Sequence, residues 1–216
     1  VLAAMRADRP TDQMSRLVAL LGVSLPAFWL AILFQLFFAL RLGWFPVSGR
    51  LAGDAPSTIT GLYLIDSLLQ GQWTTFGAAL RQILLPAITL SFPAMATIMR
   101  FTRASLLEVM GQDYVRTARA KGAKERVVIL RHALRNALIP TVTMIGLSFG
   151  WAMGGSVLVE TVFDWPGIGL YATKSALSLD FMPIMGIALL YGFVFSMINI
   201  LVDVTYGVLD PRVTRT

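Results

Sequence analysis

Four long apolar runs constrain this 216-residue chain more than any other feature. They lie at about residues 17–42, 83–99, 137–159 and 184–206. A helix needs about 20 mostly apolar residues to cross a bilayer, and in lipid only helices and closed barrels satisfy every backbone hydrogen bond. The chain is 56% hydrophobic and 14% charged, whereas soluble domains are about 25% charged. These features predict an all-α membrane protein with four visible spans.

Prolines interrupt the first two apolar runs. Pro26 lies inside the first run and is expected to kink that span, because proline removes a helical hydrogen bond. Pro86 and Pro93 are expected to bend the second span in the same way. Between the two runs, residues 43–82 are rich in Gly, Pro and Ser and are predicted to form a loop with one short amphipathic helix near residues 62–69.

The segment between the second and third runs is strongly basic. Residues 100–135 carry nine of the 18 Lys and Arg residues in the chain and only three acids. Such a segment cannot lie in hydrocarbon, and the positive charge typical of cytoplasmic loops predicts that residues 100–136 are cytoplasmic. Both ends of the chain are then expected in the cytoplasm, and residues 43–82 and 160–183 on the extracytoplasmic side.

Two short helices are predicted within this basic loop. Asp113 is the expected N-cap of the first, which covers residues 115–121 and ends at Gly122, since glycine favours the conformation that closes many helices. The second is expected over residues 124–136. Val127, Leu130, Leu134 and Leu138 are spaced so that they are predicted to face the membrane proteins above the loop. This pattern suits a lever that passes on a push from a partner, but also a solvated linker that is attracted by anionic lipid.

The third run contains Gly146, Gly150 and Gly154 at four-residue spacing. Small residues on one stripe let a neighbouring helix approach closely, so this helix is predicted to lie inside a bundle or at a subunit interface. The same stretch matches G-x-S-x-G around Ser148. That motif needs a strand-to-helix elbow and a histidine partner, and the only histidine, His132, lies in the cytoplasmic loop. Ser148 is therefore predicted to be a packing residue, not a nucleophile.

Polar residues mark the remaining segments. Residues 160–183 are predicted to begin with a turn at Asp164-Trp165-Pro166-Gly167, followed by a helix too polar to span. In the fourth run, Asn199 and Asp203 lie one turn apart on one face. Asp203 is expected either to reach the membrane edge or to pair with Arg100 or Arg103.

Composition excludes several classes of site. The sequence has no cysteine and one histidine, which rules out thiolate and multi-histidine metal sites, disulfides and a cysteine nucleophile within these residues. It also lacks the G-x-x-x-x-G-K-[ST] loop that cradles nucleotide phosphates. Membrane orientation explains the net charge of +6, so nucleic acid is not an expected partner.

Residues 113–140, DYVRTARAKGAKERVVILRHALRNALIP, closely resemble the EAA loop of binding-protein-dependent ABC importer permeases. Ala118, Gly122 and Leu134 match the family pattern, and Pro140 matches a second proline that is common after it. The loop is similar to the form found in the dipeptide/oligopeptide/nickel branch.

Three positions depart from the general pattern, and all three departures are usual in the peptide branch. Arg116, His132 and Arg135 stand where the family has Glu, Ile and Pro. Further stretches also look like the first, B-type permease of such systems. These are SLPAFWLAILFQLFFALRLGWFPVSGR (24–50), VFDWPGIG (162–169) and INILVDVTYGVLDPR (198–212).

The resemblance implies the helical bundle of a type I ABC importer permease, the MetI-like class, with six spans in a complete member. It implies that this chain, which begins without Met, is an N-terminally truncated fragment; a short processed N-terminus is the alternative. By similarity, residues 114–122 form a coupling helix, and residues 164–167 lie near an extracytoplasmic gate and dock. The residues assigned to ATPase coupling are Asp113, Tyr114, Arg116, Ala118, Arg119, Gly122, Leu134 and Pro140.

The same resemblance implies a set of partners in a bacterial or archaeal plasma membrane. They are a second permease subunit in a heterodimer, two ATPase subunits that use ATP and Mg, and an extracytoplasmic solute-binding protein. No cofactor or catalytic residue is expected in the chain itself. Two other functions stay open, a passive channel or scaffold and an intramembrane hydrolase, and the solute stays open among dipeptides, longer peptides, glutathione and nickel chelates.

Overall fold

The computed structural model describes residues 10–51, 53 and 55–209, and these residues form helices and loops without a strand. Two segments of the chain, Gln35–Arg41 and Val128–Ala133, are π-helical. The α-helices are α1 (Pro10–Ser24), α2 (Ala27–Phe34), α3 (Tyr63–Leu69), α4 (Trp73–Met110), α5 (Asp113–Ala120), α6 (Glu125–Val127), α7 (Leu134–Val162), α8 (Ile168–Leu177) and α9 (Phe181–Leu209). The polar tails outside residues 10–209, including Asp210–Arg212, lie beyond the described residues.

Among the described residues, three helical stretches are long and apolar enough to cross a membrane, or up to four if residues 12–24 and 27–41 count as one broken span. The first run was predicted as a single kinked helix, but the structure breaks it at Pro26. This proline has φ −60° and ψ 139° and serves as the N-cap of α2. The break follows from the ring of proline, which disfavours helical geometry in the residue before it.

The helix α4 is much longer than the predicted second span of residues 83–99. It has 38 residues, and its helical assignment continues through Pro86 and Pro93. At 1.5 Å per residue it extends about 57 Å, whereas the hydrocarbon core is about 30 Å thick. The helix must therefore project beyond the hydrocarbon. Residues 73–82 and 100–110 were predicted to lie in loops because of their polarity, but they belong to this helix.

The described residues divide into two compact units. The first comprises residues 10–24, 93–151 and 189–209, and the second comprises residues 25–92 and 152–188. The core of the first unit contains Leu106, Val115, Val128, Ala133 and Ala137. The core of the second contains Ala31, Ala39, Leu85, Val159 and Phe163.

Polar side chains attach the loop after α2 to helices of the second unit. Gln35 Nε2 donates hydrogen bonds to the carbonyl oxygens of Val47 (2.8 Å) and Val162 (3.0 Å). Gln82 Nε2 donates to the carbonyl of Ser48 at 2.6 Å. These carbonyl oxygens have no hydrogen-bond partner within a strand or helix, so the side-chain bonds satisfy them. The bonds also give the loop a defined path.

The predicted short helix near residues 62–69 is present as α3. Asp66, which is 1% exposed, closes the preceding turn by accepting hydrogen bonds from the backbone N–H of Ile59, Thr60 and Gly61 and from the Thr60 hydroxyl. The Thr60 hydroxyl bond, together with these backbone bonds, lowers the pKa of Asp66 below its usual value. The carboxylate therefore favours this turn above the ordinary pKa of aspartate, and its contribution is lost as pH falls through the lowered value.

Two glycines of α7 allow α9 to pack closely in the first unit. A Cβ at Gly146 would lie 2.7 Å from Val202 Cγ2, and a Cβ at Gly150 would lie 2.9 Å from Phe195 Cε2. The third glycine of the predicted stripe, Gly154, has nothing within 4 Å of such a Cβ. At two of its three positions, the glycine stripe therefore packs against another helix of the same chain.

We predict that Gly146→Ala destabilises the purified full-length subunit by about 1–2 kcal/mol. Overpacking costs about 1–3 kcal/mol, and the better helix propensity of alanine offsets at most about 1 kcal/mol. Gly150→Ala should cost less, because the Phe195 ring can move more easily than a β-branched valine. Gly154→Ala is the matched control and should be neutral or slightly stabilising. Unfolding in detergent measures all three, and an equal loss at Gly154 would contradict this packing.

Candidate functional site

The helix α5 in the basic loop is attached to its unit by one narrow face. Val115 is fully buried against Leu106 and Val128, and Ala118, one turn later, packs at the edge of the same cluster. The opposite face is open: the side chains of Arg116 and Asp113 are 71% and 98% exposed. The helix therefore presents a charged surface to the outside while its position is fixed from within.

Asp113 does not cap this helix as predicted. The N-cap is Gln112, with extended backbone and no side-chain cap, and Asp113 is the first helical residue. Its carboxylate still lies in the first turn, where negative charge is favoured by the helix dipole. The salt bridge from Asp113 to Arg116 is long, at 3.7 Å, and solvent-exposed, so it adds little stability.

Gly122 ends α5 as the sequence predicts, with φ +78°. Its N–H donates to the carbonyl of Arg119 at 2.9 Å, and the N–H of Ala123 donates to the carbonyl of Ala118 at 3.3 Å. This pair of bonds is the Schellman motif, in which the flanking residues also make an apolar contact. Ala118 and Ala123 both pack on the Val115 cluster, so the turn is closed by backbone bonds and by burial.

An ion pair bridges the Gly122 turn. Arg119 donates from Nε and Nη2 to the two carboxylate oxygens of Glu125, at 3.1 and 2.7 Å. The side chains are 37% and 53% exposed, and such exposed pairs contribute at most about 1 kcal/mol. The bidentate geometry mainly orients the end of α5 against the start of α6.

The predicted second helix of the loop, residues 124–136, does not stop before the third span. The helical path is continuous from Glu125 to Val162, and Pro140 lies inside α7. The π-helical segment Val128–Ala133 widens the turn to an i→i+5 hydrogen bond and shifts the buried face.

The side chains that pack inside the chain differ from the four that were predicted to face the membrane proteins. Val127 and Leu130 are 42% and 48% exposed, and Leu134 and Leu138 are only partly buried. The fully or almost fully buried side chains are instead Val128, Ile129, Ala133 and Ala137. A regular helical spacing could not predict this face, because the π-helical turn changes the spacing.

Two polar contacts tie this region to other helices of the first unit. Asn136 Nδ2 donates to the Tyr114 hydroxyl at 2.8 Å, which links α7 to α5. Arg135 donates to the backbone carbonyls of Leu209 (2.8 Å) and Val208 (3.0 Å) at the end of α9. Cations are favoured at helix C-termini, so Arg135 has a structural role that its sequence position did not reveal.

The predicted pairing of Asp203 with Arg103 is wrong. Arg103 donates from Nε and Nη2 to the carboxylate of Asp12, at 2.6 and 2.8 Å, and Asp12 is fully buried. Asp203 is exposed and has no ion-pair partner among the described residues. Its neighbour Asn199 donates to the carbonyl of Phe195 at 3.0 Å within α9. The Asp12 pair joins residues 91 positions apart, which local patterns do not reveal.

A second corner, in the second unit, is formed by the end of α7 and the start of α8. The N–H of Trp165 donates to the carbonyl of Glu160 at 2.8 Å, and Asp164 has φ +47°, which places the predicted turn directly after the helix. The Glu160 side chain is 8% exposed, and its carboxylate accepts from the N–H of Leu170 at 2.6 Å. Sequence analysis missed this role of Glu160.

Glycines make room for the Glu160 carboxylate. A Cβ at Gly167 would collide with it, and a Cβ at Gly169 would lie 2.8 Å from Val157 and 3.1 Å from a Glu160 oxygen. Gly167 is the N-cap of α8 and has no capping side chain, so Glu160 satisfies that helix start from another helix. This requirement explains both glycines of the VFDWPGIG stretch.

The described residues contain no group of three or more His, Cys, Asp or Glu side chains that could hold a metal ion. Ser148 lies within α7 and donates its hydroxyl to the carbonyl of Met144 at 2.6 Å. A serine in this position is not on a strand-to-helix elbow, which the G-x-S-x-G nucleophile requires.

We predict that Gly122→Ala weakens the end of α5 by about 1–2 kcal/mol, the cost of a left-handed conformation for an L-residue. A Cβ there meets nothing within 4 Å, so the loss is conformational and not steric. Gly122→Asn is the matched control and should cost less, because asparagine tolerates this conformation. Hydrogen exchange of the α5 amides in the full-length protein measures the effect. Equal protection in Ala and Gly forms would contradict the role of Gly122.

We predict that Glu160→Ala speeds exchange of the Leu170 amide by about tenfold, since losing a helix cap costs about 0.5–2 kcal/mol. Glu160→Gln retains an acceptor oxygen and should show a smaller effect. Asp180→Asn, an exposed acid in the same unit, is the control and should leave the α8 amides unchanged. Unchanged exchange in Glu160→Ala would show that the carboxylate does not hold α8.

Comparisons with known proteins agree with this helical architecture. Residues 1–215 match a family described as "Binding-protein-dependent transport system inner membrane component". The chain is 42% identical, over 99% of its length, to the dipeptide transport system permease protein DppB of Alkalihalophilus pseudofirmus. It is 41% identical, over 100% of its length, to the probable D,D-dipeptide transport system permease protein DdpB of Escherichia coli K12.

A further relative is the di/tripeptide transport system permease protein DppB of Pseudomonas aeruginosa, 42% identical over 99% of the chain. The chain spans 64% of the length of each of these three curated relatives. The family match covers almost the whole chain and the fold is helical with spanning segments, as expected for an integral membrane permease. The chain therefore belongs to the family of binding-protein-dependent transport system inner membrane components.

Proposed function

We propose that this chain is a permease subunit of an ATP-driven peptide importer and couples to a cytoplasmic ATPase through α5. The observation that carries the proposal is the geometry of α5, whose charged face is exposed while Val115 anchors its other face. A charged helix that is fixed in place between two spanning helices is a suitable docking element. A solvated linker would not need a buried anchor.

The proposed mechanism passes force through the apolar cluster of the first unit. Leu106 belongs to α4, Val115 to α5 and Val128 to the path that leads into α7. Because packed interiors transmit displacement with little compression, a push on α5 moves both long helices together. Nucleotide-driven closure of the ATPases would then rock these helices between inward-facing and outward-facing states.

The partners follow from what the chain lacks and from its family. It carries no phosphate-binding loop, so ATP and Mg would act in two partner ATPase subunits. A second permease would complete the translocation path, and an extracytoplasmic binding protein would deliver the solute. The large apolar side chains along α9 are mostly exposed, for example Leu189 at 75% and Phe193 at 66%, and lipid or the second permease would cover them.

The proposed location is a bacterial or archaeal inner membrane with the basic loop on the cytoplasmic side. Charge asymmetry supports this orientation, since residues 100–135 concentrate half of the Lys and Arg. The relatives named above are described as permeases for dipeptides, D,D-dipeptides and di- or tripeptides. Short peptides are therefore the proposed solute class.

We predict that Arg116→Glu weakens association of the full-length permease with its ATPase by at least about tenfold and lowers uptake in parallel. Like charges that face each other across an interface cost several kcal/mol, and a loss of about 1.4 kcal/mol already weakens association tenfold. Arg81→Glu is the matched control, an exposed arginine in the second unit, and should leave association unchanged. Co-purification and ATP-dependent peptide uptake are the measurements. If Arg116→Glu changes neither, α5 is not the coupling element and a passive channel is favoured.

A further inference from the structure

A cavity of about 550 Å³ lies in the second unit beside the corner formed by Glu160. Small-molecule sites have volumes of about 300–1,000 Å³, so this cavity has the size of a ligand pocket. Its charged lining residues are Arg50, Asp164 and Lys174, and apolar surface comes from Pro166, Leu170 and Tyr171.

The charges in this cavity do not neutralise one another. Asp164 and Lys174 are both exposed, and neither has an ion-pair partner among the described residues. Arg50 is held in place, because its guanidinium donates to the carbonyl of Gly61 and lies 3.9 Å from the centre of the Tyr63 ring. A guanidinium has five N–H donors, so Arg50 can bind a further acceptor.

The opposite charges are positioned by the same residue, Glu160, which is almost fully buried. Glu160 accepts from the N–H of Leu170 and so fixes the start of α8, the helix that carries Lys174. Its own carbonyl accepts from the N–H of Trp165 and closes the turn that holds Asp164 at φ +47°. A non-glycine residue in that conformation is strained, and such strain is retained where the surroundings hold it in place. This arrangement is preorganised, which lowers the cost of binding.

We propose that this cavity binds a small zwitterion that carries both a free carboxylate and a free ammonium group. Arg50 and Lys174 would bind the carboxylate, Asp164 would bind the ammonium, and Tyr171 would contact an apolar side chain between them. An unblocked short peptide has this chemistry, and naming that class rests on the proposed function. A simple anion fits less well, because Asp164 would repel it.

The test uses the complete importer in lipid nanodiscs without its binding protein, and the probe is the dipeptide alanyl-phenylalanine. Saturation-transfer NMR should detect binding of the free dipeptide. Its C-terminal amide and its N-acetyl derivative should bind about tenfold more weakly, since each loses one charge-assisted contact. Equal binding of the free and blocked forms would overturn the inference.

Two substitutions locate the site. Lys174→Met and Asp164→Asn should each weaken binding of the free dipeptide by about tenfold, and asparagine keeps the left-handed backbone accessible. Arg81→Met is the control, an exposed cation of the same unit outside the cavity, and should bind the dipeptide normally. Normal binding in both cavity variants would overturn the inference.

Two further measurements separate this inference from its alternatives. If the cavity instead receives an acidic segment of the binding protein, Lys174→Met will weaken association of unloaded binding protein, Asp164→Asn will not, and both variants will leave dipeptide binding unchanged. That result would overturn the inference. ATP-driven uptake by the same unsubstituted importer in vesicles, with its binding protein added back, tests the proposed function separately. Uptake without dipeptide binding overturns only the cavity assignment, and binding without ATP-driven uptake overturns only the coupled transport.

Discussion

The apolar contact among Leu106, Val115 and Val128 is the interaction on which the first unit depends. It joins the end of α4, the middle of α5 and the start of the helical path into α7, and all three side chains are fully buried. The surrounding segment is too charged to enter hydrocarbon, so this contact, with the Asn136–Tyr114 hydrogen bond, is what holds it in place. Because of it, a basic segment outside the lipid is mechanically continuous with two spanning helices.

Two corners of the chain use glycine for different purposes. Gly122 adopts a left-handed backbone conformation, and the turn that it forms leaves one face of α5 open. At Gly167 the lack of a side chain makes room for the Glu160 carboxylate, which holds the start of α8. The first corner thus exposes the surface that we propose docks on an ATPase, whereas the second positions charges around a cavity of small-molecule size.

The helical class, the short helix α5 and its end at Gly122 could be predicted because they depend on local composition and on the backbone preference of one residue. The length of α4 could not be predicted, because its two ends are polar. Hydropathy identifies only the apolar part of a helix, which resembles a lipid-embedded segment. The buried face around Val128 depends on a π-helical turn that changes the spacing. The Asp12–Arg103 pair and the role of Glu160 depend on contacts between distant segments, which no local pattern encodes.

If the open face of α5 touches an ATPase, as we propose, site-directed cross-linking should capture that contact. These 216 residues contain no cysteine, so a single introduced thiol reports one position. A thiol-to-amine cross-linker attached at Arg116→Cys should join the permease to the ATPase subunit in the assembled complex, whereas the same reagent at Arg81→Cys should not. Cross-linking to the ATPase from Arg81→Cys and not from Arg116→Cys would contradict the account.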